Sequence, residues 1–327
     1  MTVYLLLGVS GAVLALMLTP LIGRISTVLG LVDAPGGRKV HLQSLPRLGG
    51  VAVIGSAMLA VLLAGVFFPL TPDQSDAMRP FLLAGALIFL AGVIDDVRGL
   101  GPVPKLLFET AAAVVMMSSG LLIERVTLLG DTWSLGWLAW PVTALWLIGL
   151  TNAFNLIDGV DGLAAGVVVL AGSACAAILI ARGHSAEAIL LVALVGAALG
   201  FLVYNFEPAS IFLGDSGSLV AGFLLAATAI TGWQKGATAL AAGVPLMIFA
   251  LPIADSALAL LRRSVPTPPH GRTLAATLRR IAEPDRDHIH HRLLALGWSV
   301  RRTVIILYGI TLLLSLIALA TADVGAR

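Results

Sequence analysis

The sequence predicts an all-α protein: a polytopic integral membrane helix bundle of about ten transmembrane helices, with both termini external. Three observations lead there. Apolar residues fill 58% of the 327 positions and charged residues only 12%, whereas soluble domains hold roughly 45–50% and 25%. Apolar runs of about twenty residues recur along the chain, each long enough to cross a hydrocarbon core of roughly 30 Å as a helix. Lysine and arginine fall unevenly between alternate loops, as the positive-inside rule requires of a multi-pass chain.

In chain order the runs are about Val3 to Ile22, Gly50 to Leu70, Pro80 to Ile94, Pro104 to Ile123 and Trp137 to Thr151. They continue as Leu163 to Ala181, Ala186 to Tyr204, Gly217 to Gly232, Ala237 to Leu261 and Thr303 to Thr321. No Lys or Arg precedes the first run and Arg24 follows it, so it reads as a permanent span and not a cleaved leader. Loops after odd-numbered runs hold fifteen of the twenty basic residues, which assigns that face to the cytoplasm. Nearly every polar motif sits on the same face, while the external loops hold scattered charges such as Asp73, Asp76 and Asp131 without pattern. The one long polar stretch, Arg262 to Arg302, is broken by Pro266, Pro268, Pro269 and Gly271 and predicts a basic cytoplasmic loop subdomain at about 262–302. Cys175 has no partner and reads as a packed thiol.

Four polar clusters interrupt the apolar pattern. Asp95-Asp96 closes the third run, where a carboxylate costs less than the roughly 2.5–3.5 kcal/mol of mid-span. A solvated helix end balanced by Arg98 accounts for the pair equally well. Asn152, Asn155, Asp158 and Asp161 recur every third residue. They form one stripe on a helix, or, with Gly159 and Gly162 breaking it, a loop around a ligand. Asp215, Ser216 and Ser218 open the eighth run. They are either an N-cap or a metal carboxylate beside an anion-binding helix end. His288, His290 and His291 stand beside Arg286 and Arg292, a setting that suits phosphate better than zinc. A further basic loop holds Arg38, Lys39, His41 and Arg47; anionic lipid headgroups suffice for Arg24 and Arg47. Asp255 precedes Arg262 by two turns, and pairing with a basic neighbour suffices for it.

Taken in order, these motifs resemble the polyprenyl-phosphate N-acetylhexosamine-1-phosphate transferase family. The resemblance rests on Arg38-Lys39-x-His41 with Pro46-Arg47-x-Gly49-Gly50, Asp95-Asp96, Asn152 through Gly162, Phe212-x-Gly-Asp215 and His288-x-His290-His291. It extends over most of the chain, so residues 1–327 read as one transmembrane transferase domain. The histidine segment followed by Gly297 looks like the WecA and TagO branch; the peptidoglycan branch, MraY, typically has three consecutive histidines there. The resemblance implies that a lipid phosphate attacks the β-phosphate of a UDP-N-acetylhexosamine, giving lipid-diphosphate-sugar and UMP in cell-envelope polysaccharide synthesis. UDP-GlcNAc is the favoured donor, with UDP-N-acetylfucosamine or UDP-N-acetylquinovosamine as alternatives, and undecaprenyl phosphate is the acceptor. It further implies Mg²⁺, with Mn²⁺ able to substitute, on Asp215 and Asn155. Lys39, His41, Asn152, Asp158, Asp161, Asn205, Phe212, Arg286, His288, His290 and His291 would bind substrate, and Asp95 and Asp96 would prepare the acceptor as catalytic residues. The expected setting is the bacterial inner membrane with the site facing the cytoplasm, in contact with membrane lipid, without nucleic acid, and compatible with a homodimer.

Three other classes stay open on the residues alone. A secondary transporter predicts polar groups near the bilayer midplane. An intramembrane aspartyl protease needs a second aspartate facing Gly214-Asp215. A CDP-alcohol phosphotransferase needs an Ala-Arg after its Asp-Gly, which Asp158-Gly159-Val160-Asp161-Gly162 lacks.

Overall fold

The computed structural model describes residues 1–33, 44–128, 131–233, 243–264 and 289–324. The first half comprises α1 (Thr2–Val28), the short strands β1 (Val32–Asp33) and β2 (Leu45–Pro46), α2 (Gly49–Phe67), α3 (Pro72–Arg98) and α4 (Pro102–Ser118). A hairpin of β3 (Arg125–Leu128) and β4 (Asp131–Ser134) then leads through a 3₁₀ turn into α5 (Ala139–Ile157). The second half comprises α6 (Leu163–Ala181), α7 (Ser185–Asn205), α8 (Asp215–Trp233), α9 (Gly243–Ile248) and α10 (Ala250–Ser264). It ends with the seven-residue α11 (Ile289–Ala295) and α12 (Val300–Val324).

The fold is the expected all-α membrane bundle, and eight helices among the described residues are long and apolar enough to span. Two expected spans differ. The fourth run yields a helix of only 17 residues, opened by Pro102. The ninth is divided: residues 237–242 lie outside the described residues, and the rest forms α9 and α10 with a break at Phe249. Pro252 explains the break, because it offers no N–H to Ile248 and its ring crowds that carbonyl. Two small antiparallel hairpins, pairing Val32 with Pro46 and Arg125 with Ser134 at their ends, were not foreseen. Several helices outrun their apolar cores; α3 begins at a Thr71 capping box with Gln74 and reaches Arg98, taking Asp95 and Asp96 into its last turn.

Helix α8 is the axis of the bundle. In its most apolar stretch 89% of residues are buried, against 28% for the peripheral α1, and it packs on α2, α3, α5 and α6. The outer pair α1 and α7 meets through small residues: a methyl on Gly196 would lie 2.3 Å from the Gly8 carbonyl, and one on Gly200 2.2 Å from that of Ala12. Such close backbone approach is how helices associate where lipid removes the hydrophobic drive. At the start of α5, Trp133, Trp137 and Trp140 are exposed, as aromatic side chains at a membrane–water boundary are.

Candidate active site

One cleft of about 1190 Å³ collects the segments that follow α1, α3, α5 and α7. Its walls include Thr27, Asp33 and Arg47; Asp95 and Asp96; Asp158 to Asp161; and Asn205, Phe212, Gly214 and Asp215, with Leu294 and Val300 closing it. Since Thr27 and Val300 line the cleft, the far ends of α1 and α12 leave Thr2 and Val324 at the opposite face of the bundle.

Two adjacent carboxylates at one helix end repel unless each finds its own compensation, and here they part company. Asp96, only 8% exposed, turns to α8: its two oxygens accept the backbone N–H groups of Asp215 at 2.9 Å and Ser216 at 3.0 Å. The orphan donors of that helix end are thus capped by a neighbouring helix. Small residues permit it, for a methyl on Gly92 would lie 2.5 Å from Ser216 Cα. Gly214, at φ +72°, is barred from a side chain by Asp96 and by the Arg47 carbonyl. From sequence the α8 terminus is either an N-cap or a metal carboxylate beside an anion-binding helix end; its first two N–H groups are taken by Asp96 from a neighbouring helix.

Asp95 turns the other way. It accepts the Leu100 N–H at 2.7 Å and faces the Lys105 ammonium at 3.3 Å. Lys105 also pairs with Asp215, so one cation from the first turn of α4 bridges carboxylates of α3 and α8. Arg98, the expected counter-charge, is exposed. Oxygens of Asp95, Asp96 and Asp215 lie within 4.8 Å of one another. Asn155 Nδ2 approaches Asp215 Oδ1 at 2.9 Å and Ser218 Oγ at 3.0 Å. This hard-oxygen donor set fits a divalent cation such as Mg²⁺, which needs few protein ligands. Asn155 can turn its amide oxygen inward, since O and N are assigned from the hydrogen-bond network.

Helix α5 runs on to Ile157, so Asn152 and Asn155 are helical, and the chain breaks at Asp158–Gly162 as the glycines predict. Asn152 donates to Glu109 Oε2 at 2.6 Å and to the Ile148 carbonyl at 2.9 Å. Glu109 is 2% exposed, and its other oxygen has no partner among the described residues. Lys105 and Glu109 escape sequence reasoning as site residues: Lys105 counts only among the fifteen basic residues of the loops after odd-numbered runs, and Glu109 lies inside an apolar run. Their i, i+4 spacing puts both on one face of α4, and a carboxylate inside a span is a functional candidate by default.

Asp158 lines the cleft half-buried. Desolvation, then the charges of Asp215 and Asp96, raise its carboxyl well above the ordinary range, against the Gly214 N–H that favours the ion. Asp161 accepts the Ala209 N–H at 2.9 Å and Asn205 donates to the Ile211 carbonyl at 2.9 Å. Both thereby hold the segment carrying Phe212, which is itself stitched to β2 by its N–H on the Pro46 carbonyl at 2.9 Å. Arg47, assigned to lipid headgroups from sequence, pairs with Asp33 across the β1–β2 hairpin. His290 is buried, with Nε2 over Gly159. Asp255 accepts the Ile289 backbone N–H. Lys39, His41, Arg286 and His288 lie outside the described residues, as does most of the basic loop subdomain; His291 belongs to α11, its side chain outside them too.

Residues 78–233, which hold most of the cleft's polar groups, match the family Glycosyl transferase family 4. The probable undecaprenyl-phosphate N-acetylglucosaminyl 1-phosphate transferase of Bacillus subtilis (strain 168) is 36% identical over 306 residues, 93% of this chain and 81% of the relative. The decaprenyl-phosphate N-acetylglucosaminephosphotransferase of Mycobacterium tuberculosis (strain ATCC 25618 / H37Rv) is 33% identical over 93% of this chain and 78% of its own. A phospho-N-acetylmuramoyl-pentapeptide-transferase of Synechococcus sp. (strain JA-2-3B'a(2-13)) is 34% identical over 82% and 76%. With the motifs in family order, and relatives 33–36% identical matched over 76–81% of their own length, the chain belongs to the polyprenyl-phosphate N-acetylhexosamine-1-phosphate transferases of Glycosyl transferase family 4.

Proposed function

We propose that this chain transfers N-acetylglucosamine 1-phosphate from UDP-GlcNAc to undecaprenyl phosphate, releasing UMP, at the cytoplasmic face of the bacterial inner membrane. The observation that carries the reading is the meeting of Asp95, Asp96 and Asp215 within 4.8 Å, beside Asn155 and Lys105, in a cleft at the helix ends. The names of the 36% and 33% identical relatives both give N-acetylglucosamine phosphate as the transferred group, and they give undecaprenyl phosphate and decaprenyl phosphate, respectively, as the lipid. A donor bearing the muramyl pentapeptide is disfavoured by Ile289, which interrupts the histidines. The fifteen basic residues that the sequence assigns to loops after odd-numbered runs support the orientation.

The reaction brings three phosphate groups to a region already rich in carboxylates, and in reduced dielectric their repulsion is the main obstacle. Mg²⁺, when bound by Asp215 with Asn155 and the neighbouring Asp95, supplies charge for phosphate oxygens and for the departing UMP. Lys105 adds a second positive charge between the same carboxylates. Asp158 and Phe212 form the wall suited to uridine, where the ring can stack. Asp161 and Asn205 shape that wall through the backbone. His290, buried beside Gly159, would act on the diphosphate side behind the Asp158–Gly162 turn. Asp95 is the carboxylate best placed to orient the lipid phosphate, since Asp96 is committed to α8. A phosphate with its second pKa near about 6 needs little help losing a proton at neutral pH.

The competing classes fit this arrangement poorly. The carboxylates that line the cleft, Asp95, Asp96, Asp158, Asp161 and Asp215, gather at helix ends and not at mid-span, where a transporter would need them. A second aspartate beside Asp215 exists in Asp95 or Asp96, but Asp96 has both oxygens on backbone N–H groups and Asp95 is held by the Leu100 N–H and the Lys105 ammonium. Purified protein offered UDP-GlcNAc, other UDP-sugars, undecaprenyl phosphate and Mg²⁺ tests the proposal by UMP release. Release with UDP-GlcNAc that requires both lipid and Mg²⁺ supports it; no release with any UDP-sugar overturns it.

A further inference from the structure

Asp255 sits in the second turn of α10 among Pro252, Ile253, Ala254 and Ala257, and is 1% exposed. A carboxylate buried in an apolar helix persists only where something compensates it. Its Oδ1 accepts the backbone N–H of Ile289 at 2.5 Å, and a hydrogen bond to a charged group is among the stronger kinds. Ile289 is the first residue of α11, and the next is His290. The imidazole is 2% exposed, and its Nε2 lies 3.3 Å from where a methyl on Gly159 would stand. On the same helix Leu294 closes the cleft.

A helix of seven residues is too short to hold itself together in isolation, so its position is set by what it touches. One side rests on α12. At its first residue the Ile289 N–H is held by the carboxylate of Asp255. We infer that Asp255 is a positioning residue for His290: it fixes the start of α11, and with it the imidazole, against the Asp158–Gly162 turn. The part His290 plays toward phosphate rests on the transferase reading; the positioning itself does not.

The test uses full-length protein in detergent and reads His290 carbethoxylation by diethyl pyrocarbonate, quantified at that residue by mass spectrometry, together with UMP release. Wild-type His290 should be protected. Asp255→Ala should raise its labelling by roughly tenfold and lower UMP release by a similar factor, the scale of one lost charge-assisted hydrogen bond. Asp255→Asn, which keeps an oxygen at the same reach, should restore protection and bring UMP release to within about threefold of wild type. The Asp255→Ala/His290→Ala double variant should be no slower than His290→Ala alone, because the two residues act through one group. Unchanged labelling in Asp255→Ala, or additive losses in the double variant, overturns the inference. Should Asp255→Ala not fold, Asp255→Glu and Asp255→Asn decide it: protection only in the Asn variant supports the inference, and equal protection in both overturns it. Intact protection in a wild-type protein that releases no UMP would sink the transferase reading alone.

Discussion

Two helix contacts in this bundle use the same packing device to different ends. Between α1 and α7, Gly196 and Gly200 let backbones meet at the carbonyls of Gly8 and Ala12, and Tyr204 donates to the Leu16 carbonyl at 2.9 Å. Between α3 and α8, Gly92 brings Ser216 equally near, but Asp96 lies one turn further on and takes the freed N–H groups of Asp215 and Ser216. The first contact is purely adhesive. The second fixes the start of α8, and so holds Asp215 against Lys105 and Asn155. Close packing becomes a site only where a helix end, with unpaired backbone donors, meets a carboxylate.

If that distinction holds, substitutions on the α3–α8 side should remove chemistry and those on the α1–α7 side should remove only stability. The largest effect is expected from Asp215→Ala, which should lower UMP release by at least about a thousandfold at any Mg²⁺ concentration; retained turnover at saturating Mg²⁺ would take Asp215 out of the cation site. Lys105→Met comes next, leaving Asp95 and Asp215 without their shared ammonium, and should cost roughly a hundredfold in kcat with the protein still folded. A rate within twofold of wild type would reduce Lys105 to a packing residue. The paired glycine test follows. Both Gly92→Ala and Gly196→Ala should lower thermal stability by about 1–3 kcal/mol through overpacking. Only Gly92→Ala should also cut turnover per folded molecule, by about tenfold or more, as it displaces Asp215; equal turnover losses in the two would erase the comparison. The smallest effect is expected from Asp161→Ala, which frees the Ala209 N–H and loosens the segment carrying Phe212. It should raise the KM for UDP-sugar by about tenfold with kcat nearly kept, and a normal KM with lost kcat would contradict its assignment to the donor wall.

What could be read from the sequence divides along physical lines. The bundle, its cleft and Asp95, Asp96, Asn155, Asp158 and Asp215 were legible because polar residues at the ends of apolar runs contrast sharply with their surroundings. Lys105 escaped because a basic residue at the start of an apolar run has an ordinary explanation in topology. Glu109 escaped because a single carboxylate does not break an apolar run. The direction each motif faces was not legible: nothing in the pair Asp95-Asp96 says that one turns to α8 and the other to α4. That depends on Gly92 admitting Ser216 and on Lys105 returning from the next helix, both of which are tertiary facts. The division of the ninth run was foreshadowed only by Pro252, and the β3–β4 hairpin by the alternation in Arg125-Val126-Thr127-Leu128, which is too brief to outweigh its apolar neighbours.

The central claim is that α3 and α8 together build one divalent-cation pocket. Titrating Mn²⁺ into detergent-solubilised wild type and Asp215→Ala, with free and bound metal read by electron paramagnetic resonance, tests it without requiring turnover. One Mn²⁺ bound per wild-type chain, displaced by Mg²⁺ and lost in Asp215→Ala, is the predicted result; the same binding in both proteins would contradict the account.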